Sequence, residues 1–305
     1  MPVIVGSGGT GSEGKSDRMG LPTGTSDPGS ASAGDMYYKT DTNKIRIYDG
    51  NAWGDLSSGA GTYTSGAASG LLFDCDFGRL SYTDGQNIGG STDLSGALEH
   101  STTDWSSSSS NSPMNVNGGS FDFKTSNGGH IDTYSNQCRI SVGAGSGNPA
   151  MSDKLNACSS MCVEGWYMYN GSGRDVLVSR YGSGWPNQWN HIVDPGGQFH
   201  ANSGGVGAGG GNFDWDSFGD NVWFHCIWQY TSGTHYWWVN NAQKGTYNAG
   251  SSLAASGGYG FAIASRGDDY ERLEGKVAIV RIYNRILSNT EIAAHWNLEK
   301  GRFGL

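Results

Sequence analysis

Charge is scarce in this 305-residue sequence: Asp, Glu, Lys and Arg together make up 15%, against roughly a quarter in ordinary globular chains. What charge there is leans acidic, with 28 Asp and Glu to 19 Lys and Arg and a net of −9. A nucleic-acid surface needs clustered Lys and Arg, so that class of partner is excluded. No run approaches the roughly 18 apolar residues of a membrane helix, and none is expected to insert. Only 7 prolines, without a Gly-x-y period, exclude collagen and polyproline rods. Met1–Val5 has neither a basic start nor a long apolar core, so a secretory leader is not expected. The 5 cysteines (75, 138, 158, 162 and 226) cannot all pair within one chain. Folding in a reducing cytoplasm suits that number better than a disulfide framework does.

Glycine and aromatics fill the gap: 51 Gly, 11 Trp, 15 Tyr and 10 Phe. That mixture predicts many turns and short strands rather than long helices. Residues 1–34 are mostly Gly, Ser, Thr and Asp, cannot bury a core of their own, and read as an extended attachment arm. Residues 35–56 read as a β-hairpin module: Met36–Thr40 and Lys44–Tyr48 are the strands, Asp49-Gly50 a second turn, and Trp53 a lid folding back. A hairpin of this size is marginal alone and needs neighbouring copies or a larger assembly. Residues 57–70, rich in Gly and Ser, read as a linker. Residues 71–305 hold ten of the eleven tryptophans and are long enough for one all-β sandwich.

Within that sandwich, Val222–Tyr230 reads as a strand, with Val222, Phe224, Cys226, Trp228 and Tyr230 on one face and Trp223, His225, Ile227 and Gln229 on the other. Thr231-Ser-Gly-Thr234 turns it into a hairpin with His235–Asn240, which could set His225 opposite His235 as a structural pair. Lys276–Tyr283 reads as an inner strand, apolar apart from Arg281. Ser288-Asn-Thr-Glu291 is a capping box with Leu287 and Ile292 in the staple positions, predicting one short helix closed by Gly301.

Leu273-Glu-Gly-Lys-Val-Ala-Ile-Val-Arg-Ile-Tyr-Asn-Arg-Ile-Leu-Ser-Asn-Thr-Glu-Ile292 resembles the closing strand and helix of laminin-G-like domains with the concanavalin A-like sandwich. Ser120-Phe-Asp-Phe123, Met161-Cys-Val-Glu-Gly-Trp166, Trp223-Phe-His225 and Trp237-Trp-Val-Asn-Asn241 are similar to earlier pieces of that family, in its order. An acidic residue of the family pattern is Ala278 here. The resemblance implies a jelly-roll β-sandwich with a lectin-like surface. Ser32–Trp53 resembles a short module of bacteriophage virion proteins, tail fibres and head appendages among them. That implies virion attachment through Tyr37, Tyr38, Ile45, Ile47, Tyr48 and Trp53.

Catalytic signatures are poor. Gly9-Thr-Gly-Ser-Glu-Gly-Lys-Ser16 matches the P-loop pattern, but Gly20 and Pro22 end any helix that should follow it. Gly205–Gly210 matches a dinucleotide glycine pattern without a helix after it and reads as a surface loop. The seven glutamates give no alternating carboxylate pair of the glycosidase kind; Asp214 and Asp216 are the least poor alternative. Catalytic residues and cofactors are therefore expected to be none, and no metal site is assigned. Calcium at Arg266-Gly-Asp-Asp269 is the one cofactor left open. Pyranose rings pack on flat aromatic faces, with amides and carboxylates taking the hydroxyls. Trp185, Asn187, Trp189, Asp214, Trp215 and Asp216 are thus the carbohydrate candidates, although core or interface tryptophans have the same composition.

The sequence reading is an all-β virion surface protein made in the bacterial cytoplasm: a capsid decoration, head appendage or short fibre tip. Its partners are other virion proteins, further copies of itself (a trimer among the options) and host surface carbohydrate. The alternatives are a tail receptor-binding protein and a polysaccharide-degrading glycoside hydrolase.

Overall fold

The computed structural model describes residues 22–32, 35–42, 44–48, 53–56, 69–89, 92, 94, 97–101, 114–117, 119–133, 139–142, 154–170, 175–180, 189–194, 198–202, 221–248, 261–266 and 271–305. The chain divides into two compact units, Met1–Ala68 and Ser69–Leu305.

The first unit is a four-stranded sheet in the order β1 (Thr23–Gly24), β2 (Met36–Lys39), β3 (Lys44–Tyr48) and β4 (Trp53–Leu56). Trp53 is not a lid: it opens β4 and pairs with Tyr48. Residues 22–32, given to the arm by composition, lie against this sheet. The Tyr37 hydroxyl donates to Asp27 Oδ1 at 2.5 Å, Arg46 reaches Asp27 at 3.0 Å, and Trp53 Nε1 donates to the Pro28 carbonyl at 3.0 Å. Trp53 meets Tyr37 edge-on with ring centroids 4.9 Å apart.

The second unit is a sandwich. In chain order its described strands are β5 (Leu71–Asp76), β6 (Asn87–Gly89), β7 (Leu98–Ser101), β8 (Met114–Asn117), β9 (Ser120–Lys124), β10 (His130–Asp132), β11 (Arg139–Val142), β12 (Ser160–Tyr169), β13 (Asp175–Ser179), β14 (Asn190–Asp194), β15 (Gln198–Asn202), β16 (Trp223–Thr231), β17 (Thr234–Val239), β18 (Ala242–Asn248), β19 (Phe261–Ile263) and β20 (Gly275–Tyr283). One sheet runs β18-β17-β16-β12-β20-β10-β9-β6, with β5 on β20 and β7 on β5; the other runs β15-β14-β13-β19-β11-β8.

Strict alternation explains how the sheets meet. Phe224, Cys226, Trp228 and Tyr230 of β16 turn inward with Val163, Tyr167 and Trp237, against Val116, Ile140, Val142, Val178, Phe261 and Ile263 of the smaller sheet. Phe73 and Phe261 cross edge-on at 4.9 Å. Gly165, in the middle of β12, is a glycine by necessity, because a Cβ there would collide with the Tyr167 ring and hydroxyl. Cys75, Cys158, Cys162 and Cys226 are buried free thiols, and burial pushes each upward, Cys158 to about 11.

The helix α1 (Asn289–Glu299) starts as the sequence says: Ser288 and Glu291 exchange both capping-box bonds, and Leu287 and Ile292 share one apolar cluster. Its end differs. The chain continues through a 3-10 turn, Lys300–Phe303, and Gly304 (φ +76°), not Gly301, supplies the left-handed residue. A left-handed position, rather than any nearby glycine, is what stops a helix.

Candidate functional site

Among the described residues of the sandwich, polar side chains gather on a face of each sheet. The first is the outward face of the six-stranded sheet. Ser141 alternates with Ile140 and Val142, Ser179 follows Val178, and Ala262 sits between Phe261 and Ile263; in each case the flanking residues belong to the core. Cross-strand register links these positions into one row: Asn115, Ser141, Ala262, Ser179, Asn190, Asn202. Ser179 donates to Asn190 Oδ1 at 2.5 Å, and both residues are buried. Beside them Arg180 N–H donates to the Trp189 carbonyl at 2.9 Å, clamping the base of the segment between β13 and β14.

The second place is the outer face of the ten-stranded sheet, under α1. Glu164, on β12, pairs in register with Arg281 on β20, and Arg281 with Asp74 on β5. Glu164 Oε1 lies 2.8 Å from His225 Nε2 and 2.8 Å from His295 Nδ1 of the helix. Arg281 donates to Asp74 at 3.1 Å and to Glu299 of the helix at 2.6 Å, and Trp166 Nε1 donates to the other oxygen of Glu299 at 2.6 Å. Burial would raise the Glu164 carboxyl, but His295, His225 and Arg281 together hold it well below its usual range. Burial raises Asp74 against the pull of Arg281. Burial would lower His295, yet the Glu164 charge and hydrogen bond leave it raised. Ligand atoms of Glu164, His225 and Glu299 lie within 4.8 Å of one another, as a metal would need. The Arg281 guanidinium already serves these carboxylates, 2.6 Å from Glu299 and 3.9 Å from Glu164, so the cation of this cluster is an arginine. Glu164, His225, Arg281 and His295 are all at most 2% exposed, which leaves no face for a substrate to reach.

The carbohydrate candidates divide. Trp189 is corrected: it is 2% exposed and packs on Trp228 at 5.4 Å, so it plugs the core and offers no free face for sugar stacking. Trp185, Asn187, Asp214, Trp215 and Asp216 lie outside the described residues, as do the P-loop-like and dinucleotide-like glycine runs and Asp268-Asp269. His225 and His235 do not pair with each other. His225 goes to Glu164 on the outer face, while His235 accepts from Trp228 Nε1 at 3.0 Å and is driven down to about 4 by burial. Of the attachment candidates, Tyr37 is buried, Tyr38, Ile45, Tyr48 and Trp53 are half-buried, and Ile47 is a β3 position opposite Met36. The Glu164 cluster went unread as a unit. Its signal was present, a lone Glu in Met161–Trp166 and a lone Arg in Lys276–Tyr283, each a charge stranded in an apolar strand.

Residues 143–293 match the family model of the concanavalin A-like lectin/glucanases superfamily. With the two packed sheets, the fold of this part of the chain is a concanavalin A-like β-sandwich. No sequence among the curated proteins matches the chain. Among solved structures, it is similar to domain 4 of AbnA, an extracellular GH43 arabinanase from Geobacillus stearothermophilus solved with arabinotriose. The identity is 12% and the TM-score 0.48, over 74% of this chain and 98% of that one. Trypanosoma rangeli sialidase is similar at 11% identity and a TM-score of 0.49, over 88% of this chain and 44% of the sialidase. A pentraxin from Limulus polyphemus follows at 14% identity and a TM-score of 0.37, over 45% and 69%.

Proposed function

We propose that this chain is a non-enzymatic adhesion protein whose sandwich binds glycans weakly through aromatic segments at one end of its six-stranded sheet. The observation that carries the reading is the register of β13, β14 and β15. Ser179 pairs with Asn190, and Asn190 with Asn202. The segment holding Trp185 and Asn187 runs from β13 to β14, and the segment holding Asp214–Asp216 leaves β15. Both are therefore rooted at neighbouring strand ends, beside a row of Ser and Asn. Flat rings and amides from adjacent segments suit a pyranose, whose C–H face stacks and whose hydroxyls need polar partners. The lectin/glucanase family match supports the same class of ligand.

The finer reading is display on a bacteriophage virion, as a capsid decoration, head appendage or fibre tip, with residues 1–56 as the attachment part. It rests on the Ser32–Trp53 resemblance. Many copies on one particle would make weak contacts effective through avidity.

Binding of the full chain to immobilised bacterial surface polysaccharide, compared with Trp185→Ala and Trp215→Ala, tests the site. Each substitution is expected to weaken binding about tenfold, the loss of roughly one stacking contact. Unchanged binding in both variants would move the site elsewhere.

A further inference from the structure

We propose that the Glu164–His295 contact is a proton-operated latch that holds the C-terminal helix on the outer face of the larger sheet. The cluster joins two bodies. Glu164, His225, Arg281, Tyr283 and Asp74 come from the sheet, and His295 and Glu299 come from α1. His295 Nδ1 meets both oxygens of Glu164, at 2.8 and 3.0 Å, and is the helix's own contact to that carboxylate.

Groups on three neighbouring strands face His295 among the described residues. Glu164 lies opposite it on β12, with His225 beside that carboxylate on β16. Tyr283 of β20 stacks on the His295 ring at 6.4 Å, its hydroxyl 3.4 Å from Glu164. Arg281 stands between Glu164, Asp74 and Glu299. Leaving the histidines aside, three carboxylates face one guanidinium in a region closed to water. A proton on Asp74 and one on His295 each offset one of these negative charges, and both groups are shifted toward holding theirs. When His295 loses its proton, Glu164 loses the positive charge 2.8 Å from its carboxylate, and a buried carboxylate is costly in proportion to the charge taken from it. The sheet keeps its own ladders on β12, β16 and β20. The helix holds no such ladder and has the Leu287–Ile292 staple and the Trp166–Trp296 stack instead. It is therefore the part that loosens.

Amide hydrogen exchange on the full chain, corrected for intrinsic pH dependence and read from about pH 6 to about pH 9, tests the latch. Protection of residues 289–299 is expected to fall by up to about tenfold per unit as pH rises from the ordinary histidine value of 6.5 to the His295 midpoint, and to level off above it, while β12 and β16 stay protected. His295→Gln should abolish the pH step, and His225→Gln should keep it. Three results would each overturn the proposal: flat helix protection, a loss shared with the sheet, or a step that survives in His295→Gln. If His295→Gln does not fold, the His295 titration followed by NMR in the unaltered chain decides. The fall in protection must end at that midpoint, and a fall that continues well beyond it overturns the latch.

Discussion

Arg302 shows how much one side chain can fasten. Its guanidinium pairs with both oxygens of Asp76 (2.7 and 2.9 Å) and donates to the carbonyls of Asn127 and Gly129, while Asn127 Nδ2 donates back to the Arg302 carbonyl. Gly78 and Gly129 make the approach possible, since a Cβ on either would strike the other turn. The end of the chain is thereby strapped to the β9–β10 turn and to the end of β5. Arg302→Ala is expected to lower unfolding stability by about 1–3 kcal/mol, read from the urea midpoint. Asp175 works in the opposite sense. It is 4% exposed, accepts the Glu274 N–H at 2.7 Å, and is pushed up to about 7 by burial, with Glu274 and Glu271 adding repulsion. A carboxyl with a raised folded pKa binds its proton more tightly in the native state, so stability falls as pH rises from its ordinary 3.8 through about 7. Asp175→Asn should raise the urea midpoint at pH 8 and flatten its pH dependence; an unchanged pH profile would contradict the assignment. Trp189 marks the limit of reading residues one at a time. Its neighbours in sequence suit a sugar platform, and only the tertiary pairing of β14 places the ring on Trp228.

Whole elements were more legible than single residues. Alternation separated the two faces of β16 from Trp223 to Gln229 and Tyr230, because its period is two, while Val222, given to the Phe224 face, precedes the strand and is exposed. The capping box set the start of α1, since its residues act through local bonds alone. Ser288→Ala should cost about 1 kcal/mol, measured by thermal or urea unfolding. The helix end and the fourth strand of the small sheet, β4, were not legible. Both depend on where the chain goes next, and Trp53 reads equally as lid or strand until Tyr48 is seen beside it. The Glu164 cluster needed three-dimensional register, because its members are scattered from Asp74 to Glu299. At acid pH the same cluster gives a second sign. Glu164 and Glu299, both held below their ordinary values, stabilise the fold above those values and release that stability as pH falls through their folded pKa.

At the scale of the molecule, the chain divides into two compact units, Met1–Ala68 and Ser69–Leu305. The attachment reading predicts that a chain lacking residues 1–56 keeps the sandwich's near-ultraviolet aromatic signal but no longer joins phage particles. Incorporation of the truncated chain would place the attachment surface on the sandwich. The adhesive reading is tested most directly by an array of bacterial surface polysaccharides probed with the full chain, each spot read for retention and for release of reducing ends. The account predicts retention on some glycans and no release. Release of reducing ends, lost in Asp214→Asn or Asp216→Asn, would make the protein a hydrolase, and an array blank even at multivalent display would remove the glycan from its function.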